Sequence, residues 1–245
     1  MVVPCFDEER RIGPTVARLL ADLPDLVDGA CEVVVVDDHC RDATVAVVHA
    51  AIAADSEVQV RVVPNGGARG KGAAVRAGVA AATGDAVLVV DADLAGDLAA
   101  LPAMLAAVAM GAEAVLGTRQ LPGSVIEPSR PLRRRVAAAA FRAVVRALTP
   151  VRVSDPQCGM KLYRRTTIQP LMADVRTDGY AFEVEVLARL ARQGAHVVEQ
   201  PVRWTDRGDG KVRVVRDGLR MVFEARRAGR HAGRGAGRGA AGSSP

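Results

Sequence analysis

The chain reads as an α/β protein built on a mostly parallel sheet with helices on both faces. Short apolar runs without polar alternation, Glu32-Val33-Val34-Val35-Val36-Asp37 and Ala86-Val87-Leu88-Val89-Val90, read as strands buried on both faces. Five strand-to-helix units follow one another, which gives parallel strands joined by right-handed crossovers. Three of the strands end in acids and a fourth in Gly117-Thr118-Arg119. Ligands of such sheets bind at the carboxyl ends of the strands, so that edge is where chemistry is expected.

The elements follow in order. Met1 to Phe6 is a first strand, short enough before Pro4 that the true start is expected upstream. Asp7-Glu8-Glu9-Arg10 then leads into a helix ending near Leu23. The second strand runs into Asp37-Asp38, and Arg41-Asp42-Ala43-Thr44 opens the next helix. Val58 to Val63 is the third strand. Asn65-Gly66-Gly67-Ala68-Arg69-Gly70-Lys71-Gly72 opens a helix from Ala73 to Ala82, and its N–H groups and two cations either cradle a phosphate or make a plain loop. Gly follows Lys71 where a Walker A motif needs Ser or Thr, and the spacing is not GxGxxG.

The fourth strand ends in Asp91-Ala92-Asp93. Carboxylates at i and i+2 can approach one Mg²⁺ or Mn²⁺ and leave its other positions for phosphate oxygens, although such a tripeptide alone is more often an acidic turn. A helix from Leu101 to Met110 and a strand from Ala114 to Arg119 come next. Pro131 to Leu148 reads as a basic amphipathic helix, with Val136, Ala140, Val144 and Leu148 on one stripe, Phe141 and Val145 beside it, and Arg135, Arg142 and Arg146 opposite. Such a helix is half-buried on its own protein or lies on an anionic bilayer. Ser154 to Tyr163 is a turn into a strand, Asp178 to Glu185 introduces a helix to about Gln193, and Ala195 to Val202 is a further strand. Trp204 to Lys211 is expected to be a loop over a phosphate site, followed by a last helix to about Arg227. The domain is thus expected to span 1–227, with a disordered Gly/Ala/Arg-rich tail over 228–245.

Composition narrows the function classes. Hydrophobic residues are 49% of the chain but aromatics only 3%, so the core is made of Ala, Val and Leu. The alanine and arginine bias is that of a GC-rich coding sequence. Five arginines and no acid from Ala225 onward account for the whole formal charge of +5, so the body is near neutral. A near-neutral body with few aromatics argues against a nucleic-acid-binding module. Within the body, Arg130, Arg133, Arg134, Arg135, Arg142, Arg146 and Arg152 form a local basic cluster. The four cysteines have no CxxC spacing, which suits a reduced, cytoplasmic setting. With neither a signal peptide nor an apolar run long enough to span, membrane contact is expected to be peripheral or through a separate membrane subunit.

Taken together, Val3-Pro4-Cys5-Phe6-Asp7-Glu8-Glu9, Asp37-Asp38, Gly70 to Gly78, Gly84-Asp85, Asp91-Ala92-Asp93-Leu94 and Gly117-Thr118-Arg119 come in the order seen in inverting GT-A glycosyltransferases of family 2. Asp155-Pro156-Gln157-Cys158-Gly159-Met160-Lys161-Leu162-Tyr163, Gly179 to Glu185 and Trp204 to Val212 resemble the polyprenyl-phosphate branch, which includes dolichyl-phosphate glucose and mannose synthases. The resemblance covers roughly Met1 to Arg220 and implies a GT-A, Rossmann-like fold with a mixed, mostly parallel sheet and helices on both faces. It also implies inverting transfer of a hexose from a nucleotide sugar of the UDP-glucose or GDP-mannose class to a polyprenyl phosphate. By the same resemblance, Pro4, Phe6, Glu8, Asp37 and Asp38 belong to the nucleoside pocket, joined by Lys71, Asp91 and Ala92. Asp91, Asp93 and Gln157 are the ligands of Mg²⁺ or Mn²⁺, Arg119 and Arg133 hold the acceptor phosphate, and Arg207 and Lys211 close over the diphosphate. Asp93, Arg119 and Gln157 carry the catalysis, at the inner face of the cell membrane.

The chain departs from the family in two places: Asp7 stands for the usual Asn, and His39-Cys40-Arg41-Asp42 for the usual Gly-Ser-Thr-Asp. The second change puts histidine where glycine suits φ > 0. Glu183 and Glu185 are read as structural or capping groups in preference to bases. The competing enzyme reading is a soluble glycosyltransferase acting on a small phosphorylated or hydroxylated metabolite.

Overall fold

The computed structural model describes residues 1–52, 56–128 and 132–206, with the backbone alone at 132–134. A seven-stranded sheet forms the centre. Its strands are β1 (Val2–Cys5), β2 (Glu32–Asp37), β3 (Gln59–Pro64), β4 (Ala86–Val90), β5 (Ala114–Thr118), β7 (Met160–Arg164) and β8 (Val197–Pro201), in spatial order β3-β2-β1-β4-β7-β5-β8. A small parallel pair, β6 (Val125–Glu127) and β9 (Arg203–Thr205), stands beside it. All the main strands run parallel except β7, which is antiparallel to both β4 and β5. The α/β expectation therefore holds, and the sheet is mixed.

Side chains alternate across the sheet as a period of two requires. Val2, Val34, Val36, Val87, Val89 and Leu116 meet α3 (Lys71–Ala81), α5 (Leu132–Leu148), α6 (Arg165–Asp174) and α7 (Phe182–Gln193). Val3, Val33, Val35, Leu88, Val90 and Val115 meet α1 (Ile12–Leu26), α2 (Thr44–Ala51) and α4 (Leu101–Ala109). Each buried Val or Leu contributes about 1.5–3 kcal/mol, so a core almost without aromatics is sustained by number.

Several expectations need correction. α6 was not expected; its polar Arg165-Thr166-Thr167 start and internal Pro170 hide a stripe of Ile168, Leu171 and Met172 that packs on the sheet. β6 is three residues long, too short to give a periodic signal. Trp204-Thr205 is strand and not loop, with Trp204 buried. On α5 the residues turned to the core are Phe141 and Val145, while Val136 is 60% and Leu148 41% exposed. The expected apolar stripe thus lies largely outside the core. The expected last helix and the tail lie outside the described residues.

Candidate active site

Parallel strands deliver β1, β2, β4 and β5 to one edge by their carboxyl ends. Because β7 is antiparallel, it begins at that edge, and its pairing of Met160 with Val90 sets Gly159, at the end of the Gln157-Cys158-Gly159 turn, beside Asp91. The Asp91 turn is pinned from beneath: Thr15 Oγ1 of α1 donates to the Ala92 carbonyl at 2.8 Å, and Leu94 N–H to the Asp91 carbonyl at 2.9 Å. Ala92 itself is buried, so its backbone positions the two acids. Asp93 Oδ1 accepts from Ala95 N–H at 3.2 Å. Gly159 is needed for close approach, since a Cβ there would lie 2.0 Å from Asp91 Oδ2.

Asp91 Oδ1 is 2.7 Å from Lys71 Nζ, on the first turn of α3. The same ammonium lies 3.3 Å from Glu183 Oε1, which is 3.2 Å from Lys161 Nζ. Burial works against the charge of Lys71, but Asp91 and Glu183 outweigh it and hold its pKa above the ordinary lysine range. Lys161 is buried in the middle of β7 and also donates to the Cys158 carbonyl. Burial pushes the Cys158 thiol up to about 11, which keeps it protonated and inert.

The glycine-rich loop serves a different purpose from the one its composition suggests. Gly70 N–H donates to Asp38 at 3.0 Å and Gly72 N–H to the Asp178 carbonyl at 2.7 Å, so these donors are already engaged. A Cβ on Gly70 would meet the Asp178 carbonyl at 2.3 Å, and one on Gly72 the Thr177 carbonyl at 2.3 Å. The glycines let this loop dock on the segment before α7. What it offers the site is the Lys71 ammonium, together with Arg69, whose guanidinium lies 3.9 Å over the Phe6 ring.

Pro4, Phe6, Glu8 and Asp37 line the same edge at the ends of β1 and β2. Asp37 accepts from Cys40 N–H at 2.8 Å, and Glu8 N–H donates to Thr44 Oγ1 at 2.7 Å. Asp38 is 4% exposed and takes Asn65 Nδ2 at 2.7 Å, so it organises the loop from inside the protein. His39 adopts φ 61°, the left-handed conformation that glycine would take without cost.

At the end of β5, Arg119 is clamped by Asp155, Nε to Oδ2 at 2.6 Å and Nη2 to Oδ1 at 2.8 Å, and its guanidinium lies 4.8 Å over the Trp204 ring. Burial works to lower the Arg119 pKa, and Asp155 more than offsets it. Burial likewise works to raise the Asp155 pKa, but Arg119 holds it below the carboxylate range. Two of the five guanidinium N–H groups are spent on this clamp, which fixes where the remainder point. Sequence reading missed Asp155, Lys161 and Trp204 as partners. The signal for Lys161 was a cation inside an otherwise apolar strand. The side chain of Arg133, and Arg207 and Lys211, lie outside the described residues.

Asp91, Asp93 and Gln157 offer the hard oxygen donors that Mg²⁺ or Mn²⁺ takes, and Gly159 lets the Asp91 carboxylate pack against the turn before β7. The donor set fits such an ion. Asp7, Cys40 and Asp42 also converge, with ligand atoms within 4.8 Å of one another. Their carboxylates cap backbone instead: Asp42 takes Thr44 N–H at 3.0 Å and Glu9 N–H at 3.1 Å, and Asp7 takes Arg41 N–H at 2.8 Å.

Known proteins resemble the chain over most of its length. The glycosyltransferase AglD of Haloferax volcanii is 33% identical over 90% of the chain, which covers only 35% of that protein's length. A dolichyl-phosphate beta-glucosyltransferase of Drosophila melanogaster is 29% identical over 84% of the chain and 66% of its own length. The chain thus spans between a third and two thirds of these relatives. Among solved structures, mannosyl-3-phosphoglycerate synthase from Rubrobacter xylanophilus superposes with a TM-score of 0.68 at 20% identity, covering 100% of the chain and 76% of that structure, a likeness of fold. Residues 1–171 match Glycosyl transferase family 2, and the chain, with its mostly parallel sheet and acid-ended fourth strand, belongs to that family of GT-A glycosyltransferases.

Proposed function

We propose that the chain transfers a hexose, with inversion, from a nucleotide diphosphate sugar of the UDP-glucose or GDP-mannose class to a polyprenyl phosphate. The observation that carries this is the meeting of Asp91, Gln157-Gly159 and the clamped Arg119 at one sheet edge, in a chain whose relatives are named for dolichyl-phosphate glycosylation. Asp91, Asp93 and Gln157 would hold Mg²⁺ or Mn²⁺, which neutralises diphosphate charge and stabilises the leaving group. Pro4, Phe6, Glu8 and Asp37 bound the nucleoside side, and Lys71 places a cation beside the diphosphate.

A phosphate oxyanion is already nucleophilic at neutral pH, so no strong general base is required. Placement in line and relief of repulsion between two phosphorylated substrates are required instead. Arg119, held rigid by Asp155 and Trp204, suits the acceptor phosphate, with Arg133 assisting and Arg207 and Lys211 closing over the diphosphate. Burial of Glu185 among Arg176, Thr177 and Arg189 gives that acid a structural role.

No helix among the described residues is long and apolar enough to cross a membrane. Exposed Val136 and Leu148 beside Arg135 and Arg146 on α5 favour peripheral attachment to an anionic surface at the inner face of the cell membrane, directly or with a separate membrane subunit. The test is transfer from UDP-glucose and GDP-mannose, with Mn²⁺, to undecaprenyl phosphate in liposomes and to 3-phosphoglycerate in solution. Product on the lipid with the anomeric configuration reversed is the expected result. Product on the soluble acceptor alone would establish the metabolite-directed enzyme in its place.

A further inference from the structure

Only three of the 33 basic residues are lysines, Lys71, Lys161 and Lys211. In a chain that uses arginine nearly everywhere, two of the three touch one carboxylate, Glu183 Oε1, at 3.3 and 3.2 Å. An ammonium is a compact charge on a flexible stem and a guanidinium is a broad planar fork, so these are places where the fork does not substitute. Lys71 is shared. It stands 2.7 Å from Asp91 Oδ1, on the carboxylate assigned to the metal, and 3.3 Å from Glu183 Oε1.

A divalent cation on Asp91 and an ammonium on the same carboxylate would be like charges a few ångströms apart, a repulsion that burial strengthens. For the divalent cation to take Asp91, the ammonium must give up its contact with Oδ1. The backbone under Lys71 is held on both sides, Gly70 N–H by Asp38 and Gly72 N–H by the Asp178 carbonyl. The side chain can move. Behind it lies a cavity lined by Lys71, Glu183, Lys161, Tyr163, Val89 and Phe182. The Phe182 ring centroid is 5.9 Å from Lys71 Nζ, so that space offers a carboxylate and an aromatic face together. Glu183 is only 8% exposed against 33% for Asp91, which makes it the more shielded of the two seats.

We propose that Lys71 is the built-in occupant of the cation site and that Glu183 is the seat to which its ammonium withdraws when a divalent cation takes Asp91. Glu183 is then a positioning residue that sets metal affinity through Lys71. The inference rests on the assignment of Asp91 and Asp93 as metal ligands.

The test is Mn²⁺ binding to the full chain without nucleotide, read from the electron paramagnetic resonance of free Mn²⁺, for wild type, Glu183→Gln, Lys71→Met and the double variant. Glu183→Gln is expected to raise the Mn²⁺ Kd about tenfold and Lys71→Met to lower it, while in the Lys71→Met background Glu183→Gln changes it less than about twofold. An equal tenfold effect in both backgrounds would mean that Glu183 acts only through its own charge, and would overturn the handover. Absence of Mn²⁺ uptake by the wild type would instead overturn the metal assignment itself. A second measurement stands if Glu183→Gln does not fold. With ¹³Cε-labelled lysine, the signal lost in Lys71→Met should shift on addition of Mg²⁺ in the wild type and stay still in Asp91→Asn. A Lys71 signal unmoved by saturating Mg²⁺ in the wild type would also defeat the proposal.

Discussion

Asp91 and Asp93 are one residue apart and are held differently: the first by an ammonium, the second by the backbone of its own turn. Asp93→Asn keeps the Ala95 hydrogen bond and removes only charge. Metal-dependent transfer should fall at least about a hundredfold in steady-state assays, with an unchanged circular dichroism spectrum. Gly159→Ala acts on the other acid. Its methyl would stand 2.0 Å from Asp91 Oδ2, 2.7 Å from Asp91 Cγ and 3.3 Å from the Trp204 ring, so the whole carboxylate must swing away. Denaturant melts should therefore show a loss of about 1–3 kcal/mol, while turnover drops about tenfold or more. The two aspartates were legible because an apolar run that stops in acids is a one-dimensional signal. Asp155 and Lys161 were not, since the reason each is charged lies on another strand. That Asn65 and Gly70 donate to Asp38 and enclose it was not legible either, since nothing local reveals it.

At the scale of elements, carboxylates act as joints. Glu32, at the start of β2, accepts from Thr83 N–H at 2.6 Å before β4 and from Arg61 of β3 at 2.9 Å. Burial works to raise its pKa, but the Thr83 and Arg61 hydrogen bonds win and bring it down to about 2. A depressed carboxylate stabilises the fold fully above its unfolded value, near 4.5, and progressively less as the pH falls toward 2. The stability gap between wild type and Glu32→Gln in urea melts should be widest at pH 6 and shrink between pH 4.5 and 2.5. Glu185 joins α7 to the segment before it, taking Thr177 N–H at 3.0 Å and Arg189 Nη2 at 2.9 Å while fully buried. Glu185→Gln removes the buried counter-charge of Arg189 and leaves it only the exposed Asp174 carboxylate at 3.9 Å, which should cost about 3 kcal/mol in the same melts. α7 was readable from its apolar periodicity. α6 was not, because its polar start and Pro170 masked a buried stripe that only the sheet completes.

For the molecule as a whole, the body carries little net charge, yet α5 concentrates cations beside apolar side chains that the core does not take. Reversing Arg135, Arg142 and Arg146 to Glu together should reduce sedimentation with phosphatidylglycerol vesicles at least about a hundredfold, and salt should weaken the wild-type binding. Vesicle binding indifferent to both would separate α5 from any membrane role. The α/β class was legible from buried parallel strands and short crossovers, whereas the reversal of β7 was not, since a buried strand reads the same in either direction.

That reversal orders events in time. Among the described residues β5 is bonded to β7 and β8 and to no earlier strand, so a growing chain that has reached residue 118 holds a strand whose partners are still to come. Four strands, β3-β2-β1-β4, can assemble early, but the sheet stays open until residues 160–164 arrive and zip β4 and β5 together. Chains released before that point should expose β5 as a sticky edge, and assembly of the corner that holds Asp91 and Gly159 becomes the late, long-range step of folding.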